Sequence, residues 1–305
     1  MTDPLQQQVR VPLPLADQPF AVTERTQTQL VLRRFLRHRL AVASLVVFVL
    51  IVLFAFVGPL LWTYTYFTST PDNSQPPSLT HPFGTTGDGK DLLALVMRGT
   101  QQSVKISLLI AVASTAFGAV WGAAAGYFRG LVDAVLMRVA DLVIILPILA
   151  VAAVLAGSSD GAWWMVSLVI AGLVWSHVAR VVRGVVLSLR EREFVEAARA
   201  LGATDARIIF RHLVPNAIGP IIVAATILVA SGILIETALS FLGFGVQPPD
   251  TSLGILVSEA RTAVQTRPWL FYFPGLFIIL IALCVNFVGD GLRDALDPKQ
   301  TRVRA

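Results

Sequence analysis

The sequence predicts an all-α membrane protein with six transmembrane helices and both termini in the cytoplasm. Three observations predict this fold class: an apolar composition, six apolar runs of spanning length, and an uneven distribution of Lys and Arg. Hydrophobic residues make up 55% of the 305 residues and charged residues 14%, with a mean hydropathy of +0.71. A soluble domain carries about 25% charged residues, so much of the solvent around this chain is lipid.

The apolar runs give the order of the elements. A hydrocarbon core about 30 Å thick requires roughly 20 mostly apolar residues in a helix. Six runs meet this requirement: residues 40–62, 106–128, 131–156, 163–182, 218–244 and 270–288. The first run is long and begins far from the amino terminus, so we expect a membrane anchor rather than a cleaved signal peptide.

These runs divide the chain into five parts. The predicted parts are an amino-terminal cytoplasmic arm (1–39), the first transmembrane helix (40–62), an extracytoplasmic loop (63–105), a five-helix core (106–292) that contains a cytoplasmic segment (190–215), and a cytoplasmic tail (293–305).

Positive charge sets the predicted orientation, because cytoplasmic loops carry an excess of Lys and Arg. Of the 24 Lys and Arg residues, 19 fall in the arm, the turn between spans 2 and 3, the segment between spans 4 and 5, and the tail. The other five are Lys90, Arg98, Lys105, Arg261 and Arg267. The net charge of +5 is therefore a topology signal and not a nucleic-acid surface.

Residues 84–91, GTTGDGKD, come one residue short of a nucleotide-binding P-loop, G-x-x-x-x-G-K-[ST]. The stretch falls in the extracytoplasmic loop, where ATP is absent, and it follows a Pro- and Ser-rich segment instead of a buried strand. Asp91 would replace the hydroxyl that binds Mg²⁺ and place a carboxylate beside the phosphates. We interpret the match as an accident.

The residues offer little for catalysis or metal binding. There is a single cysteine, Cys284, and the four histidines (His38, His81, His177 and His212) are scattered. We therefore expect no catalytic residue, no metal site and no cofactor, and a membrane-embedded enzyme is the least favoured class of protein.

Two features within the spans predict helix geometry. Gly118, Gly122 and Gly126 recur every four residues, which leaves one helix face bare for close approach by another helix. That helix could belong to this chain, the favoured interpretation, or to another subunit. Pro147 should kink the third span, because proline removes a backbone hydrogen bond.

Ionisable residues in the spans are few. Arg138 and Asp141 are three apart and could pair along one helix face. Glu236 is isolated in an apolar span, and an intramembrane carboxylate is a candidate functional group. Two roles remain open for it: lining of a transport pathway, or a structural hydrogen bond to another helix.

The segment 190–215 shows two short amphipathic helices. Phe194, Ala197, Ala198 and Leu201 share one helical face, and Ala206, Ile209, Phe210 and Leu213 repeat the spacing. Gly202 is predicted to end the first helix, Thr204 to cap the second, and Pro215 to end it. The residues alone leave two alternatives, a helix pair on the lipid surface or a projection that binds a cytoplasmic partner.

The run VVRGVVLSLREREFVEAARALGATDARIIFRHLVPN resembles the EAA loop of ABC-importer permeases of the dipeptide/oligopeptide/nickel branch. Agreement extends to RRFLRHRLAVASLVVF, HPFGTTGDGKDLLALVMRG, ETALSFLGFGVQPPDTSLGILVSEAR and NFVGDGLRDALDP. The first two of these stretches are similar to the C-type subunit. The resemblance covers residues 32–298 and implies the type I ABC-importer permease fold.

The resemblance also implies partners and a place of action. Such a permease pairs with a second, similar permease in the bacterial inner membrane, above two cytoplasmic ATPases and below an extracytoplasmic substrate-binding protein. ATP hydrolysis then belongs to the ATPases. The EAA segment would be the coupling helix that docks on one ATPase, with the residues Phe194, Glu196, Ala197, Ala198, Gly202, Ile209, Phe210 and Pro215.

Three positions depart from the family pattern, and two alternatives remain. Thr86 and Lys90 stand where the outer loop of the family has an acid and an arginine, and Val214 where the EAA pattern prefers leucine. A stand-alone carrier or channel is the alternative function. Peptides are the favoured substrate, with nickel or another small solute as the alternative.

Overall fold

The computed structural model describes residues 27–157 and 161–296. Residues 1–26 of the predicted arm and 297–305 of the predicted tail lie outside this part. Its helices, in chain order, are α1 (Gln27–Arg37), α2 (Arg39–Leu61), α3 (Leu92–Phe128), α4 (Gly130–Ile145), α5 (Ile148–Gly157), α6 (Trp163–Leu189), α7 (Glu193–Ala200), α8 (Asp205–Arg207), a π-helical stretch (Ile208–Leu213), α9 (Val214–Asn216), α10 (Ile218–Phe241), α11 (Leu253–Ala260) and α12 (Trp269–Leu296).

Five of these helices are long and apolar enough to cross a membrane: α2, α3, α6, α10 and α12. The pair α4 and α5 meets the same test together and is bent by 84° at the break between them. With this pair as one span, the predicted all-α fold with six transmembrane segments is confirmed. The break contains Pro147, so the predicted kink is confirmed as well. The bend at this position is sharp enough to divide the span into two helices.

Helix α3 is longer than the predicted span, since it begins at Leu92 and not at residue 106. Its 37 residues extend for about 55 Å, well beyond the hydrocarbon core. Two of the polar residues that interrupt the apolar pattern are satisfied by tertiary contacts. Arg98 donates to both carboxylate oxygens of Asp250 at 2.9 and 3.1 Å, and Gln101 donates to the Ala55 carbonyl at 2.7 Å. The predicted outer loop is therefore shorter and ends at Asp91.

The glycine stripe of α3 lies against α6 of the same chain. A Cβ atom on Gly118 would be 2.6 Å from the Trp175 carbonyl oxygen, and one on Gly126 would be 2.9 Å from the Arg183 carbonyl oxygen. A Cβ on Gly122 would come closer still to the carbonyl oxygen of Ala179. The two backbones approach so closely that no side chain fits between them.

Ion pairs connect α4 to α6. Arg183 donates to both carboxylate oxygens of Asp133, at 2.5 and 2.6 Å. Arg180 donates to Asp141 at 2.6 Å. The expected pairing of Asp141 with Arg138 is therefore corrected, because the neighbouring helix brings a different arginine to the carboxylate.

Buried side chains form two main clusters. One joins α3, α5, α6 and α10 with the segment after α6, and it includes Ile170, Val178, Val195, Ile208 and Leu213. The other joins α2, the beginning of α3, α11 and α12, and it includes Ile51, Leu92, Leu253 and Ile281. Helices α3 and α10 contribute to both clusters and connect them.

Helix α1 was not anticipated within the predicted arm. Phe35 is buried against Ala41 and Ala295, which docks α1 on the last turn of α12. His38 separates α1 from α2, and its Nδ1 accepts from the Ala41 amide at 3.1 Å. Its Nε2 lies 3.6 Å from Asp294. The start of the first span is thereby fixed to the end of the last.

Candidate functional site

A glycine turn separates the two arms of the segment 190–215. Gly202 has φ +78°, the left-handed conformation that favours glycine. The Ala203 amide donates to the Ala198 carbonyl at 3.0 Å, and the Gly202 amide to the Arg199 carbonyl at 2.9 Å. These two bonds form a Schellman motif, so the predicted end of the first helix is confirmed. The predicted cap of the second is also present, since the Thr204 hydroxyl accepts from the Arg207 amide at 3.4 Å.

The second arm differs from the predicted α-helix. Ile208–Leu213 form a π-helix, in which the Val214 amide donates to the Ile209 carbonyl five residues earlier. Pro215 does not end the arm, which continues through α9 and turns only at Ala217. Proline has no amide hydrogen and crowds the preceding turn, and the widened turn lies directly before it.

Burial divides the side chains of this segment into two faces. Val195, Ile208, Ile209 and Leu213 are buried in the cluster with α3 and α6, and Ala198 packs against that cluster. Ile209 is buried and Ala198 is half-buried, and the predicted docking of both residues on a partner stays a prediction. Ile209 is 6% exposed and its neighbour Phe210 56%, so the two residues predicted to share a face lie on opposite sides of the boundary between the buried and exposed faces.

The outward face carries three large apolar side chains. Leu201 is 89% exposed, Phe210 56% and Phe194 38%. Glu196, Ala197 and Pro215, which were also predicted to contact a partner, are exposed as well. We call Phe194, Leu201 and Phe210 the apolar patch. Leu201 was on the predicted amphipathic face, and its position at the glycine turn makes it the most exposed of the three.

The near-P-loop residues form a structural turn at the start of α3. The Asp91 carboxylate is fully buried and accepts from the Ala94 amide (2.8 Å), the Trp62 indole (3.0 Å) and His81 Nδ1 (2.8 Å). Asp91 therefore caps α3. Lys90 Nζ lies 3.1 Å from Asp88. Both roles belong to the architecture of the outer loop.

An open pocket of about 510 Å³ lies beside this turn. Its lining includes Asp88, Lys90, Asp250, Glu259 and Arg267. Burial raises the pKa of Glu259, and the charge of Lys90 opposes that shift. For Asp88, burial alone would raise the pKa, but hydrogen bonds from Thr86 and Lys90 prevail and lower it. The lining of the pocket thus carries both acidic and basic side chains.

Glu236 lies in a cage of hydroxyl groups with no surface exposed. Its Oε1 accepts from Ser240 and Ser252, both at 2.7 Å, and Ser103 donates to Oε2 at 3.4 Å. Ser252 also caps α11, where it accepts from the Ile255 amide. The carboxylate therefore connects α3, α10 and α11. These contacts agree with the structural alternative for Glu236, and a pathway role remains a prediction.

Two further residues were missed because their partners are remote in sequence. Arg98 pairs with Asp250 across 152 residues, and Tyr127 donates to Asp205 across 78. The local sequence around a carboxylate or a phenol gives no signal of such a remote partner. In residues 27–157 and 161–296, no three potential ligand side chains come together as a metal site would require.

Long apolar helices of spanning length, together with a helical hairpin that exposes an apolar patch, are typical of a membrane transport subunit. The chain belongs to the family of binding-protein-dependent transport system inner membrane components, whose model matches residues 118–302. Residues 26–77 match the model of the N-terminal transmembrane domain of oligopeptide transport permease C. The protein is thus a multi-pass bacterial inner-membrane permease and not a catalytic enzyme.

Similar proteins share nearly the whole chain. An oligopeptide transport system permease protein OppC from Mycobacterium tuberculosis is 45% identical over 280 residues, which cover 90% of this chain and 96% of the relative. The proteins of that name from Escherichia coli K12 and Bacillus subtilis are 39% and 38% identical, over 88% and 87% of this chain and 89% and 88% of the relatives.

Proposed function

We propose that this chain forms half of the translocation pathway of an ATP-driven importer of oligopeptides. The names of the three relatives support the substrate class. A second, similar permease subunit would complete the pathway, two cytoplasmic ATPases would supply the energy, and an extracytoplasmic binding protein would deliver the peptide.

We infer that residues 190–215 dock on one ATPase through the apolar patch. The observation that carries this inference is the division of the segment into two faces. One face is buried in the membrane bundle through Val195, Ile208 and Leu213, and the other exposes Phe194, Leu201 and Phe210. Large apolar side chains that are left exposed together mark an interaction site.

The same division explains how docking would drive transport. A partner that moves the exposed face also moves the buried face, because close-packed side chains transmit displacement. The buried face packs with α3, α6 and α10, so these helices would tilt together. Closure of the ATPase pair on ATP would then switch the bundle between inward-open and outward-open states.

Leu201→Glu tests the docking of this surface. Reconstituted with its partners, the variant should lose most ATPase co-purification and most ATP-dependent peptide uptake. A buried leucine contributes about 1.5–3 kcal/mol to an interface, which corresponds to about a tenfold or greater loss of affinity.

The matched control is Leu79→Glu. Leu79 is fully exposed in the predicted outer loop. The same substitution is therefore made on the side of the membrane opposite the predicted ATPase site. It should leave ATPase co-purification unchanged. Equal ATPase binding by Leu201→Glu and wild type would contradict the docking proposal.

Substrate and energy source are tested on the same proteoliposomes. We expect uptake of short peptides that requires ATP, the ATPases and the binding protein, and that excess nickel does not inhibit. Uptake by this chain alone would instead indicate a stand-alone carrier, and uptake of nickel but not of peptides would change the substrate class.

A further inference from the structure

Tyr127 lies at the last turn of α3, where that helix meets the segment 190–215. Its side chain is only 4% exposed. The phenol donates to a carboxylate oxygen of Asp205 at 2.5 Å. The Arg199 guanidinium lies 5.4 Å from the ring centroid, and that of Arg190 lies 5.7 Å from it. Arg190 also donates to the Tyr127 carbonyl oxygen.

These three partners come from three different elements. Arg190 is the C-cap residue of α6, Arg199 lies in the last turn of α7, and Asp205 is the first residue of α8. One aromatic side chain therefore touches both arms of the segment and the helix that leads into it. The glycine turn at Gly202 lies between the two arms, and a Cβ added at Gly202 would have nothing within 4 Å.

The hydrogen bond and the cation–π contacts depend on the relative orientation of the groups. A hydrogen bond to a charged acceptor is stronger than one between neutral groups, and a cation over an aromatic face is attracted to it. Displacement of either arm would stretch the phenol–carboxylate bond or move an arginine off the ring. Helix α3 extends from this point to the Asp91 cap at its other end and packs along α6.

We propose that Tyr127 is a positioning residue that joins both arms of the segment 190–215 to α3, and that transport depends on this connection to convert movement of the segment into movement of α3. The inference rests on the proposed docking of the segment on an ATPase and adds the route by which that movement enters the bundle.

The test is Tyr127→Phe in the complete reconstituted complex. This change keeps the ring and its two arginine contacts and removes only the hydroxyl that reaches Asp205. We expect the ATPases to co-purify, and peptide uptake per ATP hydrolysed to fall about fivefold to tenfold, because a hydrogen bond to a charged group contributes about that factor or more.

Asp205→Ala is the second variant, at an exposed position where misfolding is not a concern, and it removes the oxygen that accepts from the phenol. It should produce a similar loss of uptake per ATP. The double variant should lose no more than either single variant, because all three lack the same interaction. The control is Tyr272→Phe, since Tyr272 is an exposed tyrosine on α12 and should behave as wild type.

Wild-type uptake per ATP in Tyr127→Phe, or fully additive losses in the double variant, would overturn the proposal while the docking of the segment stands. Loss of ATPase binding in Tyr127→Phe would also overturn it, since the residue would then shape the docking surface and not transmit its movement. If the wild-type chain bound no ATPase at all, the proposed function itself would be wrong.

Discussion

The Ser252 hydroxyl at the start of α11 donates to the buried carboxylate of Glu236 on α10, at 2.7 Å. The same hydroxyl accepts from the Ile255 amide and so caps α11. One side chain thus fixes the start of a short helix and, together with Ser240 and Ser103, satisfies a carboxylate within the membrane.

Substitution of Glu236 separates a structural role from a pathway role. Glu236→Gln keeps an acceptor oxygen for Ser240 and Ser252, so we expect normal membrane levels and peptide uptake close to wild type. Glu236→Ala should instead lower the free energy of unfolding of the purified chain by about 1–3 kcal/mol, because the serine hydroxyls lose a buried acceptor. Poor uptake by a stable, assembled Glu236→Gln complex would restore the pathway role predicted from the sequence.

The close approach of α3 and α6 predicts that Gly122 accepts no side chain. Gly122→Ala would place a methyl group against the Ala179 carbonyl oxygen, and overpacking of this kind costs about 1–3 kcal/mol. We expect a lower unfolding temperature for the purified chain. Gly172→Ala is the control, because a Cβ at Gly172 has nothing within 4 Å. A defect seen only in the presence of the second permease would assign the stripe to a subunit interface.

Gly202→Val tests the turn between the two arms. A Cβ there meets no neighbour, so the cost is backbone strain at φ +78°, roughly 1 kcal/mol or more. We expect normal levels of both permeases, with weaker ATPase co-purification or ATP hydrolysis that is uncoupled from uptake. Gly184→Val is the control, because Gly184 is equally open but has helical backbone. Wild-type uptake per ATP in Gly202→Val would show that the angle between the arms is unimportant.

Lys90→Ala tests the resemblance of GTTGDGKD to a P-loop. Lys90 pairs with Asp88 in the outer loop, so ATP hydrolysis by the assembled complex should stay within about a factor of two, whereas a P-loop lysine contacts the phosphates directly. Near-complete loss of hydrolysis in an intact complex would contradict the predicted topology.

Features that depend on neighbours in sequence could be predicted from the chain alone. Apolar runs predicted the five spans that are continuous helices, and Pro147 predicted the break in the sixth. Gly202 and Thr204 marked the turn between two helices. Each of these follows from local backbone chemistry: proline lacks an amide hydrogen, glycine tolerates positive φ, and threonine caps a helix.

What depended on remote partners was decided only by the tertiary structure. The length of α3 rests on Arg98 meeting Asp250, and the surroundings of Glu236 rest on serines from three elements. The outward face of the segment 190–215 depends on which of its side chains pack in the cluster with α3, α6 and α10, and its connection to α3 on the bond from Tyr127 to Asp205. The physical reason is that the sequence period predicts which residues are apolar, whereas the packing of distant helices decides which of them are covered and which partner each buried polar group needs to be stable.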